Sequence, residues 1–208
     1  MVVRHEIYFN TASIIFAREF VGELAQVRYT ERMEVVPQNK IGLAKEFAEK
    51  KFKEAGIENH FLEVYQILKN DFGVDDHDVL ASALLHDTLE DTSTTSEELE
   101  KVFSKEVARM VEEVSHPKNY NAEQKKEYYE KIKHISWGGK MIKLADFASH
   151  LKKFIGAFTG ENNLSKFTHN EYCVFIRSFL ESCGDSPAKE YVSELNDRLD
   201  NYIGNKTC

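Results

Sequence analysis

The chain has 208 residues, 42% of them hydrophobic and 12% aromatic, with 27 basic and 35 acidic side chains and a formal charge of −8. This excludes a disordered chain, and the acidic balance excludes a general binder of nucleic-acid polymers or anionic membranes, because a phosphate backbone selects a basic face. The three cysteines, Cys173, Cys183 and Cys208, are odd in number and widely spaced, so neither a disulfide framework nor a zinc knuckle is expected, and a reducing, cytoplasmic setting is the simplest reading. No apolar run reaches the roughly 18–20 residues that a membrane span requires. Arg4, Glu6, Arg18 and Glu19 interrupt the N-terminal region where a signal peptide would be uniformly apolar.

Taken in chain order, the apolar period predicts an all-α protein. Helices are expected over 11–28 (Ile14, Ile15, Phe16, Phe20, Val21, Leu24, Val27), over 40–54 (Ile41, Leu43, Ala44, Phe47, Ala48, Phe52) with Gly56 as the stop, over 60–71, and over 77–90 after Gly73. Thr95 and Glu98 read as a capping box opening a short helix to Phe103, and Ser104 caps the next run, which His116-Pro117 ends. Asn121 and Gln124 open a polar helix reaching about 135, and Gly138-Gly139 is expected to break the chain before a helix over 140–155. The last two helices are predicted over 165–182 and 187–203, the second with Ser186 as cap and Pro187 at its first position. No repeat or linker divides the chain, so one domain over 1–208 is expected, with its core at about 40–155.

Chemistry concentrates in Val79-Leu-Ala-Ser-Ala-Leu-Leu-His-Asp-Thr-Leu-Glu-Asp-Thr92. At 100° per residue the first half of this helix is apolar on both faces, and a helix apolar all round is a buried one. His86, Asp87, Glu90 and Asp91 are therefore carried toward the interior or the floor of a cleft. Three carboxylates crowded there repel one another unless a cation or protonation offsets them, and negative charge at a helix C-terminus opposes the macrodipole by about 0.3–1 kcal/mol per group. The competing reading is an acidic, solvated helix end. In the later helix, Ile142, Lys143, Asp146, Ser149, His150 and Lys153 fall on one side and Leu144, Phe147, Ala148 and Leu151 on the other, which by itself suits a Lys143–Asp146 surface pair as well as a site.

The segment Ala-Leu-Leu-His86-Asp87-Thr-Leu-Glu90-Asp91-Thr resembles the signature of HD-domain metal-dependent phosphohydrolases, and its Glu-Asp pair resembles the guanosine tetra- and pentaphosphate hydrolases of the SpoT/RelA type. Asn59-His60 stands where that family carries its first metal-binding histidine, and Lys143-Leu-Ala-Asp146 is similar to the segment that supplies the last aspartate. The resemblance covers about residues 40–155 and implies an HD-type helical bundle with further helices at both ends. It implies His60, His86, Asp87 and Asp146 as ligands of one divalent ion, expected to be Mn²⁺. Two imidazoles with two carboxylates suit such an ion better than the all-oxygen sets of Mg²⁺ and Ca²⁺. It further implies Glu90 and Asp91 as the pair that orients or deprotonates the attacking water.

The substrate region departs from the family pattern. Where the family carries a basic run through its first ligand, this chain has Lys50-Lys-Phe-Lys-Glu-Ala-Gly-Ile-Glu-Asn-His60. Lys50, Lys51 and Lys53 can serve as phosphate contacts, yet they share a helix with Glu46, Glu49 and Glu54, and a solvated charged face accounts for them equally well. His150 stands where the family has an asparagine, and Phe147 follows the aspartate where the family is basic or polar. The expected function is hydrolysis of the 3′-pyrophosphate of guanosine 3′,5′-bis(diphosphate), with Lys50, Lys51, Lys53, Lys143 and His150 as candidate substrate contacts. The alternatives are a phosphatase of another nucleotide or phosphorylated metabolite, and a non-catalytic nucleotide-binding module. A stand-alone hydrolase is expected, since about 50 residues beyond position 155 are too few for a synthetase domain.

Overall fold

A computed structural model describes residues 37–58, 60–117, 121–158 and 166–205, all within the unit spanning Val36–Cys208. The helix expected over 11–28 lies outside them. The described residues contain α-helices and one π turn and no strand, as the apolar period predicts.

Helix α1 (Pro37–Ala55) buries Ala44, Ala48 and Phe52. It ends at Gly56, whose φ of 69° lies in the left-handed region, with Ile57 N donating to Phe52 O at 3.0 Å in a Schellman closure. Helix α2 (Phe61–Gln66) begins directly after His60. The helix expected over 60–71 does not stay α: from Ile67 to Asp71 it widens into a π turn, closed at Gly73 (φ 68°) by Val74 N donating to Leu68 O.

Asp76 caps α3 (His77–Leu85), its side chain accepting from Asp78 N and Val79 N. Every residue of α3 from Val79 to Leu85 is buried, in keeping with its two apolar faces. The helix does not run unbroken to residue 90. It stops at Leu85, and after the His86-Asp87 turn a single turn, α4 (Thr88–Asp91), resumes. Asp87, at φ −96° and ψ 0°, sits in the sparsely populated bridge region, and the Thr88 hydroxyl donates to Leu85 O at 2.7 Å.

Thr95 caps α5 (Ser96–Val102) and Ser104 caps α6 (Lys105–Val114), each accepting from the backbone N–H three residues on. Helix α7 (Ala122–Ile132) opens with the full Asn121/Gln124 capping box. Helix α8 (Trp137–Phe158) corrects the sequence reading, since Gly138-Gly139 lies inside it and does not break it. These glycines serve close packing: a Cβ on Gly138 would lie 2.5 Å from Met110 Sδ and 3.0 Å from Val79 Cγ2. Gly138→Ala is therefore expected to destabilise by about 1–2 kcal/mol, overpacking outweighing the helix-propensity gain, which denaturant unfolding would measure.

Among the described residues, α8 is the helix around which the others pack. Its Ile142, Leu144, Ala145, Phe147, Ala148 and Leu151 join α3, the π turn, α9 (Lys166–Glu181) and α10 (Pro187–Asn205) in one core cluster, while α1, α3, α5 and α6 build a second. The side that carries Lys143, Asp146 and Ser149 is buried too, so it is no surface stripe. It faces the turn at His86-Asp87 and the start of α2. Cys173 and Cys183 are buried free thiols.

Candidate metal centre

Three elements bring the four expected ligands together. His60 precedes α2, His86 and Asp87 form the break after α3, and Asp146 lies midway along α8. His60 Nε2 is 3.3 Å from His86 Nε2, 3.4 Å from Asp146 Oδ1 and 3.5 Å from Asp87 Oδ2, and His86 Nε2 is 3.0 Å from Asp87 Oδ1. The other ring nitrogens are held by the protein: His86 Nδ1 hydrogen-bonds Ala83 O at 2.9 Å, and His60 Nδ1 hydrogen-bonds the buried Ser149 hydroxyl at 2.9 Å. Bonds of this kind fix the orientation of a ligating imidazole and leave Nε2 for the cation.

Asp146 is buried, and Lys143 Nζ donates to its Oδ2 at 2.7 Å. Its Oδ1 is buried without a hydrogen-bond partner. A buried carboxylate oxygen without a donor is costly, and one aimed at two imidazoles and a second carboxylate is an oxygen suited to a cation. Burial pushes the Asp146 carboxyl upward, but Lys143, His150 and His86 outweigh it and hold it well below the usual carboxylate range. Lys143 is itself buried, which favours its neutral form, and Asp146 more than compensates, keeping it charged. Its ammonium also lies 5.2 Å from the Phe147 ring centre.

His86 is buried, which disfavours its charged form, yet Asp87 and Asp146 outweigh burial and raise its pKa to about 9. With no cation to balance Asp87 and Asp146, the protonated form of His86 is thus favoured. Below about pH 9 a cation must displace that proton, so affinity is expected to rise by up to about tenfold per pH unit and to level off above it. Metal titration by calorimetry in buffers of different ionisation enthalpy would detect the released proton.

Glu90 and Asp91 are consecutive in α4 and therefore point in different directions. Asp91 lines a cavity of about 770 Å³ together with His60, Asp87, His150, Gln66, Glu58, Glu63 and Lys153. Glu90 is held by His116, accepting from the backbone N–H at 2.9 Å and pairing with Nε2 at 2.9 Å. The bond to Glu90 raises the pKa of His116, against partial burial.

The lysines are distributed differently from the expectation. Lys50 pairs with Glu54 and Lys51 with Glu98; with the exposed Lys53 they lie on α1 and do not line the cavity. Lys143 is spent on Asp146. The lysine that does line the cavity, Lys153, is 3.3 Å from Glu63. His150 lines the cavity, and its Nδ1 is 3.2 Å from the Tyr172 hydroxyl, which belongs to α9. Burial lowers the pKa of His150, the largest of several opposed influences. Sequence reading missed His116, Ser149, Tyr172 and Lys153. Ser149 carried a faint signal, one turn from Asp146 on the same side, whereas Tyr172 had none.

The fold and the convergent His, His-Asp and Asp side chains define a class. The HD domain family matches residues 41–151, and the chain belongs to it. Among characterised proteins, the guanosine-3′,5′-bis(diphosphate) 3′-pyrophosphohydrolases MESH1 of Mus musculus and Homo sapiens are each 44% identical over 95 residues, covering 45% of this chain and 53% of the relative. The guanosine-3′,5′-bis(diphosphate) 3′-pyrophosphohydrolase of Aquifex aeolicus is 40% identical over 81 residues, 37% of this chain and 12% of that protein. The chain thus spans about half the length of the curated MESH1 relatives it matches. A solved structure, described as a metazoan ortholog of SpoT that hydrolyzes ppGpp and plays a role in starvation responses, superposes with a TM-score of 0.63 at 25% identity, covering 81% of this chain and 96% of that one. Among the described residues no helix is long and apolar enough to cross a membrane.

Proposed function

We propose that the protein is a divalent-metal phosphohydrolase that releases pyrophosphate from the 3′ position of guanosine 3′,5′-bis(diphosphate), with Mn²⁺ as its ion. The observation that carries this reading is the convergence of His60, His86, Asp87 and the Asp146 Oδ1 that lacks a hydrogen bond, with His60 and Asp87 lining an open cavity, in a chain 44% identical over 95 residues to proteins named for that reaction. When bound, the cation supplies a water of lowered pKa and offsets charge developing on the phosphoryl group.

The chain's own residues do the rest. His60 and His86 are held in ligating orientation by Ser149 and by Ala83 O, and Lys143 turns Asp146 so that Oδ1 faces the site. Asp91, on the cavity wall next to Asp87, accepts the proton of the attacking water. Glu90 fastens the 115–117 segment beside it through His116. Lys153 and Gln66 are the cavity's candidates for phosphate contact.

The test is release of pyrophosphate from guanosine 3′,5′-bis(diphosphate) by the Mn²⁺-loaded protein, beside phosphate release from a panel of other nucleotides. Turnover of the first is expected, and its absence at saturating Mn²⁺ overturns the assignment. One observation favours the second substrate reading, another nucleotide or phosphorylated metabolite: Glu58, Glu63, Asp87 and Asp91 outnumber the single lysine in the lining. Activity confined to a less charged member of the panel would establish that reading.

A further inference from the structure

Around the metal centre, five side chains offer donors, not four. His60, His86 and Asp87 each present an atom within 4.8 Å of the others, and so do His60, Asp146 and His150, so His60 belongs to both groups. The His150 ring lies flat against His60, with centroids 4.6 Å apart and an interplanar angle of 17°. Its Nδ1 is 3.5 Å from Asp146 Oδ1. That oxygen is an independent pointer, since Asp146 is 4% exposed, its Oδ2 is taken by Lys143, and Oδ1 has no hydrogen-bond partner. It therefore faces both His60 and His150; the same Nδ1 of His150 is also 3.2 Å from the Tyr172 hydroxyl of α9, a contact that ligation through Nδ1 would replace.

We propose that His150 is a fifth protein ligand of the cation, making a centre of three imidazoles and two carboxylates. This rests on the metal-centre reading above and moves His150 from substrate contact to ligand. An added imidazole nitrogen strengthens binding of the later first-row ions, Co²⁺ and Zn²⁺, more than that of the oxygen-seeking Mn²⁺, while availability still decides which ion the protein holds. The centre should then discriminate between them more steeply than one built on the four signature residues alone.

The experiment compares the full-length wild type, His150→Asn, His150→Ala and Asp87→Ala by Co²⁺ absorption spectroscopy and by competition between Co²⁺ and Mn²⁺, with thermal melts to verify folding. Both His150 variants should keep about one equivalent of Co²⁺ with changed ligand-field bands, and lose about tenfold or more in the Co²⁺-to-Mn²⁺ affinity ratio. If either folded variant keeps the wild-type spectrum and ratio, His150 is not a ligand. Failure of the wild type to bind Co²⁺, or full binding by Asp87→Ala, overturns the metal centre itself, and the two failures are thereby told apart.

Discussion

Asp87→Ala should abolish stoichiometric metal uptake and with it all turnover, while Asp91→Asn should keep the metal and lose about 10²–10⁴ in rate. The two residues are one turn apart but do different work. Asp87 sits in the break after α3, with one oxygen 3.0 Å from His86 Nε2 and the other 3.5 Å from His60 Nε2. Its removal takes away a charged ligand and leaves the two imidazoles with Asp146 as the nearest carboxylate of the ligand set. Asp91 lies on the cavity wall, outside the group of converging donors, so its loss removes a proton acceptor and no ligand. Metal analysis of both purified variants beside their pyrophosphate release decides the matter. Equimolar metal in Asp87→Ala would refute the site, and an undiminished rate in Asp91→Asn would remove its role as base.

The largest expected effect on stability comes from Lys143→Met. The Lys143–Asp146 pair is buried and bonded at 2.7 Å, and breaking such a pair by removing one partner costs about 3–5 kcal/mol, because it leaves an uncompensated buried charge. Methionine retains much of the side chain's bulk, so the loss is one of charge more than of packing. Without the ammonium, Asp146 loses the largest influence holding its carboxyl low. The metal-free variant can then recover part of the loss by protonating Asp146 as the pH falls. A bound cation provides the same compensation, so added metal should restore more stability to Lys143→Met than to the wild type. Denaturant unfolding with and without metal measures both quantities, and an unchanged midpoint in the metal-free variant would show that the pair contributes nothing.

The helical character and most caps were legible because they are local. Ser-, Thr- and Asn-led starts and the stops at Gly56 and Gly73 are written in neighbouring residues. The family signature was legible for a related reason, since His86-Asp87 and Lys143-Leu-Ala-Asp146 are short segments of fixed spacing. What could not be read depends on packing between distant elements. Nothing within the 77–90 window announces that the helix stops at Leu85, or that Asp91 meets the cavity while Glu90 meets His116, 26 residues away. Gly138-Gly139 carries the composition of a breaker, yet α8 runs through it, and Met110 and Val79, which leave no room for a Cβ at Gly138, account for the glycine there. The rotation of α1 about its axis, set by Ala44, Ala48 and Phe52, decides that Lys50, Lys51 and Lys53 miss the cavity, and periodicity alone says nothing of where a cavity lies.

The hydroxyl of Tyr172 against His150 has a consequence for how this protein can vary. The family match ends at residue 151, but the hydroxyl that contacts His150 comes from α9, beyond that boundary. The segment that the family match spans carries Asp87 and Asp146, while a residue beyond its end touches His150 beside them. A change at Tyr172, which a comparison restricted to the signature segments would count as peripheral, is therefore expected to alter the setting of His150 while leaving His60, His86, Asp87 and Asp146 in place.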